Sequence, residues 1–124
     1  MSTAQDGQAT VELALALPLV MMVVAAVVQV GIVVADQARL WHAAREAARV
    51  GVVEPDLQKI KDAVEQSGLD DVGVTVEPLP EHRVQGEPLS VSLAYRPQRK
   101  VPLLGAMFER VELHAAATMR IERP

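Results

Sequence analysis

The sequence predicts an α+β fold: a long N-terminal helix, beginning as a membrane span and continuing as an amphipathic stalk, then a short second helix and a small three-stranded antiparallel sheet. Three observations predict it. Residues 13–35 carry no charged side chain and are almost wholly apolar. Beyond them, to about Val53, apolar residues recur at three- and four-residue steps, the period of a helix with one dry face. From Val72 onward, apolar and polar residues alternate in three short runs, the pattern of strands with one wet face.

Helical pattern runs from about Ala9 to about Val53. A helix over residues 13–35 is about 34 Å long at 1.5 Å per residue, against about 30 Å of hydrocarbon, so one crossing fits with modest tilt. Pro18 cannot donate to the Ala14 carbonyl and is expected to bend or loosen the helix there. After Ala35, Leu40, Trp41, Ala44, Ala47, Ala48 and Gly51 lie on the apolar side. Arg39, His42, Arg45, Glu46 and Arg49 fill the other, and with Asp36 they read as the solvated face of a helix leaving a membrane.

Glu54-Pro55 ends this helix, because a residue before proline is pushed out of the α region. Pro55 is placed to open a second helix, with Leu57, Ile60 and Val64 on one face and Gly68 past its end. Val72, Val74 and Val76 share one face of a first strand. Leu89, Val91, Leu93 and Tyr95 share a face of the second, opposite Ser90, Ser92 and Arg96. Val111, Leu113, Ala115, Ala117, Met119 and Ile121 line the third, opposite Glu112, His114, Thr118, Arg120 and Glu122. Residues 78–88 and 97–105 are proline-rich connections. A sheet this small, with Tyr95 and Phe108 as its aromatics, needs a lid, and the stretch from Leu40 to Val50 carrying Trp41 is the candidate.

Composition excludes several classes of function. The chain has 124 residues, no cysteine and a formal net charge of −4, so it holds neither a disulfide framework nor a thiolate zinc site, and it has no basic face for nucleic acid. No catalytic site assembles: His42, His82 and His114 fall in a helix, a loop and the polar face of a strand, and no serine stands in a nucleophile-elbow context. Asp70-Asp71 reads as a turn, since calcium needs several further oxygens. No cofactor, metal or enzymatic activity is expected. The apolar run 101–108 is either tucked under its own domain or a contact surface for a neighbouring subunit or the membrane.

The informative chemistry lies at the N-terminus. Glu12 stands alone at the mouth of the apolar stretch, where an ionised carboxylate is costly and marks a functional contact. Gly7-Gln8-Ala9-Thr10-Val11-Glu12-Leu13, then Ala14-Leu15-Ala16-Leu17-Pro18, then Ala43-Ala44-Arg45-Glu46-Ala47-Ala48-Arg49, together resemble the TadE-like family of tight-adherence (Flp-type) pilus systems. The ending Thr118-Met119-Arg120-Ile121-Glu122 is similar too.

The resemblance implies a pilin-like architecture and the role of a minor pilin or pseudopilin in initiating or assembling a pilus. It also implies cleavage by a prepilin peptidase between Gly7 and Gln8, leaving Glu12 as the fifth residue of the mature chain. Glu12 would then pair with the freed α-amine of a neighbouring subunit, each charge offsetting the other's desolvation. Gln8 is polar where type IV pilins carry Phe or Met, so N-methylation does not follow. The organisation expected is a leader at 1–7, a transmembrane helix at 8–35, its amphipathic continuation at 36–53 and a small extracytoplasmic domain at 54–124, held in the cytoplasmic (inner) membrane. The partners implied are the peptidase, other pilin or pseudopilin subunits, the pilus assembly platform in the membrane, and lipid.

Three alternatives stay open on the residues alone. Residues 1–7 contain no Lys or Arg and the apolar run exceeds the ~7–15 residues of a signal-peptide core, which counts against cleavage after Ala35. Counting Arg39, Arg45 and Arg49 after the span puts the C-terminal part in the cytoplasm by the positive-inside rule, whereas the resemblance puts it outside. Gly31 and Ala35, with Ala43, Ala47 and Gly51, form a small-residue spine that either packs helix against helix or reflects alanine's helix propensity. A second function is an uncleaved, single-pass interaction protein of the cell envelope.

Overall fold

The computed structural model describes residues 2–97 and 110–123. Its elements in chain order are α1 (Ser2–Val53), α2 (Leu57–Glu65), β1 (Gly73–Glu77), β2 (Pro88–Tyr95) and β3 (Leu113–Arg120), with a 3-10 turn at Pro80–His82. This is the expected α+β arrangement. The expected connection at 97–105 and the apolar run 101–108 lie largely or wholly outside the described residues.

Two compact units divide the chain, Met1–Val33 and Val34–Pro124. The first is helix alone. It begins at Ser2 rather than near Ala9, so the presumed leader is helical, and the Thr10 hydroxyl donates to the Asp6 carbonyl at 2.8 Å in its first turns. Pro18 sits inside the helix, which continues through it.

The second unit is an antiparallel sheet in the order β1-β2-β3, covered by the last turns of α1 and by α2. Leu89, Val91, Leu93 and Tyr95 all face inward from β2, as alternation predicts, and Leu113, Ala115 and Ile121 join them from β3 and the residue after it. The lid consists of Leu40, Ala43, Ala44, Ala47, Ala48 and Val52, every one at most 5% exposed. Alanines bring the helix backbone close to the sheet, and each large side chain buried beneath is worth about 1.5–3 kcal/mol.

Trp41 is not part of this lid; it is 42% exposed. Buried positions 40, 43, 44, 47, 48, 51 and 52 define one face, and at about 100° per residue Trp41 lies within about 20° of buried Ala48 and Val52, at the edge of that face. Residue type and angle both put Trp41 with the core, yet it stands two turns before Ala48 along the helix and is exposed there.

α2 opens on a cap rather than on proline: the Asp56 carboxylate accepts from the Gln58 amide at 2.9 Å, three residues beyond the helix end at Val53 and one beyond Pro55. Ile60, Ala63 and Val64 face inward, while Leu57, expected on that face, is 37% exposed. Gly68 then takes a φ of +75, a left-handed turn open to glycine at little cost.

Hydrogen bonds fix where α1 lies against the sheet. The Gln37 side-chain amide donates to the His114 carbonyl at 2.9 Å, and the amides of Glu122 and Arg123 both donate to the Val52 carbonyl at 3.0 Å. His114 and Glu122 therefore turn backbone groups away from β2, toward α1, so the helix guards the outer edge of β3 at both ends.

Candidate processing and assembly site on the N-terminal helix

Gly7, Gln8, Glu12 and Pro18 all lie on α1, and every residue from Thr3 to Ala25 is exposed. A Cβ built on Gly7 meets nothing within 4 Å, so the bond after it is sterically open. Glu12 forms no ion pair among the described residues, between Val11 at 59% and Leu13 at 67% exposure. Its neighbours Leu15, Leu17, Leu19 and Val20 are exposed on all sides of the helix. An all-round apolar helix is not stable in water and has to be surrounded by lipid or other helices. The helix is long and apolar enough to cross a membrane: its most apolar window has mean hydropathy 2.6 and is only 6% buried, unlike the core helix of a soluble protein.

The small-residue spine divides in two. Gly31 is exposed with nothing within 4 Å of a built Cβ, and Ala35 is exposed. Ala43 and Ala47 are buried in the subunit's own core, and a Cβ on Gly51 would stand 2.8 Å from Leu89 Cδ2 and 3.1 Å from Ile60 Cδ1. Gly51 therefore permits close packing of α1 on α2 and β2 within the chain, which leaves Gly31 and Ala35 free for contacts with other helices.

Three buried polar residues carry no strong signal in the sequence. Asp36, expected on the solvated face, is 3% exposed, with Arg39 at 3.5 Å. Gln29, the polar residue inside the apolar stretch, is 3% exposed and its Oε1 finds no hydrogen-bond partner among the described residues. Arg83 is 6% exposed, and its Nη1 donates to the Gly51 carbonyl at 3.0 Å. Burial pushes the Arg83 guanidinium below its ordinary pKa. Helix ends leave carbonyls without partners, and here Glu54 takes that of Val50, Arg83 that of Gly51, and the 122–123 amides that of Val52.

His42, His82 and His114 are all exposed and separate, His114 resting 3.8 Å from Glu112. Asp71 takes a left-handed φ of 54, in keeping with a turn at Asp70-Asp71. On the charged face of α1, Arg49 forms a two-point bridge to Glu46 and holds that carboxyl below the usual range.

Fold and site together define a small α+β domain carried on a single long apolar N-terminal helix, a membrane-anchored class of protein. Residues 7–49 match the family model described as TadE-like protein, the family that the sequence resembles. The match covers the open glycine, Glu12, the apolar stretch and most of the stalk, and it suggests a protein associated with a Tad pilus, a structural role. No curated protein and no solved structure matches the chain.

Proposed function

We propose that this protein is a minor pilin or pseudopilin that helps initiate or assemble a Tad (Flp-type) pilus, after a prepilin peptidase cuts between Gly7 and Gln8. The observation that carries the reading is the spacing of an open glycine and a lone carboxylate, Gly7 and Glu12, at the head of an exposed apolar helix, within the matched segment. In this reading the cut creates an α-amine one turn before Glu12. The Glu12 carboxylate of one subunit takes the amine of the next, and the pair sets axial register in a dry helical bundle. Gly31 and Ala35 let neighbouring helices approach. The protein's partners are then the peptidase, other pilin subunits and the assembly platform, and its globular part faces away from the cytoplasm.

Replacing Gly7 by Leu tests it, because a bulky side chain at the cut blocks approach of the peptidase to the backbone. In a host with its pilus peptidase, Gly7→Leu should stay at full length and match the protein from a peptidase-deleted strain. Equal processing of wild type and variant contradicts the proposal.

A second reading has its own observation. Arg39, Arg45 and Arg49 follow the span while residues 1–7 hold no Lys or Arg, which favours an uncleaved anchor with a cytoplasmic domain that binds an envelope partner.

A further inference from the structure

We infer that Trp41 and Arg45, neighbours on one side of α1, form a lipid-binding surface for the headgroup layer of an anionic membrane. This rests on the reading of residues 13–35 as a membrane span. Three observations lead to it. Trp41 is the chain's single tryptophan and is 42% exposed on a helix whose other large apolar residue nearby, Leu40, is fully buried. Arg45, one turn further on, is exposed and forms no ion pair among the described residues, whereas the two acids of residues 36–53 are engaged, Asp36 with Arg39 and Glu46 with Arg49. Trp41 and Arg45 are four residues apart, about 40° from each other round the helix, so they share one side of it. In a chain whose net charge is −4, the cation left over therefore stands beside the exposed indole.

Position along the helix selects lipid as the occupant. Trp41 follows Ala35 by six residues in one continuous helix, about 9 Å of rise. That matches the polar layer flanking the hydrocarbon, about 5–8 Å per leaflet, where an indole places its ring among glycerol backbones and its N–H in water. Arg45, four residues on and on the same side, reaches headgroup phosphates with a planar multi-donor guanidinium group. Trp41 is already exposed in the folded domain, so seating it in lipid leaves the buried residues in place.

The single tryptophan is also the probe. Full-length protein is reconstituted into phosphatidylcholine vesicles with and without phosphatidylglycerol, floated on a density gradient, and its fluorescence quenched by lipids brominated at shallow or deep acyl positions. The expected result is flotation, a blue-shifted emission relative to detergent, and stronger quenching by shallow than by deep bromines. Arg45→Gln, at an exposed site that leaves folding intact by circular dichroism, should cut the seated population about fivefold in the anionic vesicles, the effect of one basic residue at such a surface. Flotation with Trp41 unquenched and fully open to acrylamide overturns the inference and leaves the anchor standing. Failure to float overturns both. Quenching that Arg45→Gln leaves unchanged, or that is equal in neutral vesicles, overturns the anionic-headgroup contact.

Discussion

The Arg83 guanidinium donates to the Gly51 carbonyl at 3.0 Å across 32 positions of sequence, closing the C-terminal end of the long helix with a buried cation. A helix C-terminus concentrates unpaired carbonyls and partial negative charge, so a buried guanidinium is favourable there although no carboxylate among the described residues accompanies it. The contact ties the loop after the 3-10 turn to the stalk. The stalk in turn is bound to the chain's final residues through Val52.

Arg83→Met keeps the volume and removes the donors. It should destabilise the domain by about 1–3 kcal/mol, the cost of stranding a buried carbonyl, while the N-terminal helix still inserts. Chemical denaturation of the full-length protein in detergent, followed by Trp41 fluorescence, reads the change. An unchanged midpoint would mean that the methionine's packing fully offsets the lost bond.

Gly51→Ala sets two effects against each other. Alanine gains about 1 kcal/mol of helix propensity over glycine, but its Cβ would fall 2.8 Å from Leu89 Cδ2, and Leu89 and Ile60 are both 0% exposed with no room to retreat. Overpacking of this kind costs about 1–3 kcal/mol, so a net loss of stability is expected. At Gly31, where nothing stands within 4 Å, the same change should leave the isolated subunit's stability equal or higher. Any defect of Gly31→Ala should show instead in assembly.

Glu12→Gln should leave the protein inserted and folded yet reduce piliation. A carboxylate costs about 2–3 kcal/mol at a bilayer centre and less near its edge, so the amide eases insertion slightly. It cannot form the charge pair with a neighbour's amine. Counting pili by electron microscopy beside a membrane-fraction immunoblot separates the two effects, and normal piliation in the variant strain would rule out the pairing.

Much of this fold was legible because its signals are local. Alternation over 89–95 places Leu89, Val91, Leu93 and Tyr95 on one face, and the same rule places Leu113, Ala115 and Ile121. Residue type and angle both misled at Trp41, which shares the azimuth of buried Ala48 and Val52 but stands two turns earlier on the helix and is exposed. Asp36 and Arg83 were not legible, because burial depends on elements distant in the chain. Arg83 binds a main-chain carbonyl, which has no identity in a sequence. At the N-terminus the motif Gly7 to Glu12 could be read, but Glu12 has no ion-pair partner among the described residues, and a partner in another subunit leaves no mark in one sequence beyond an unexplained charge.

The domain after Ala35 should lie outside the cytoplasm, against the count of Arg39, Arg45 and Arg49. An alkaline phosphatase fused behind residue 124 should be active and a cytoplasm-only fluorescent reporter at the same place dark. The reverse pattern would favour the uncleaved anchor.

The central claim is that a peptidase makes the mature chain, and the mass of its N-terminal peptide tests that most directly. Protein isolated from a host with its own pilus peptidase should yield a first peptide beginning at Gln8, with Glu12 fifth. A peptide beginning at Met1 or Ser2 would contradict the account.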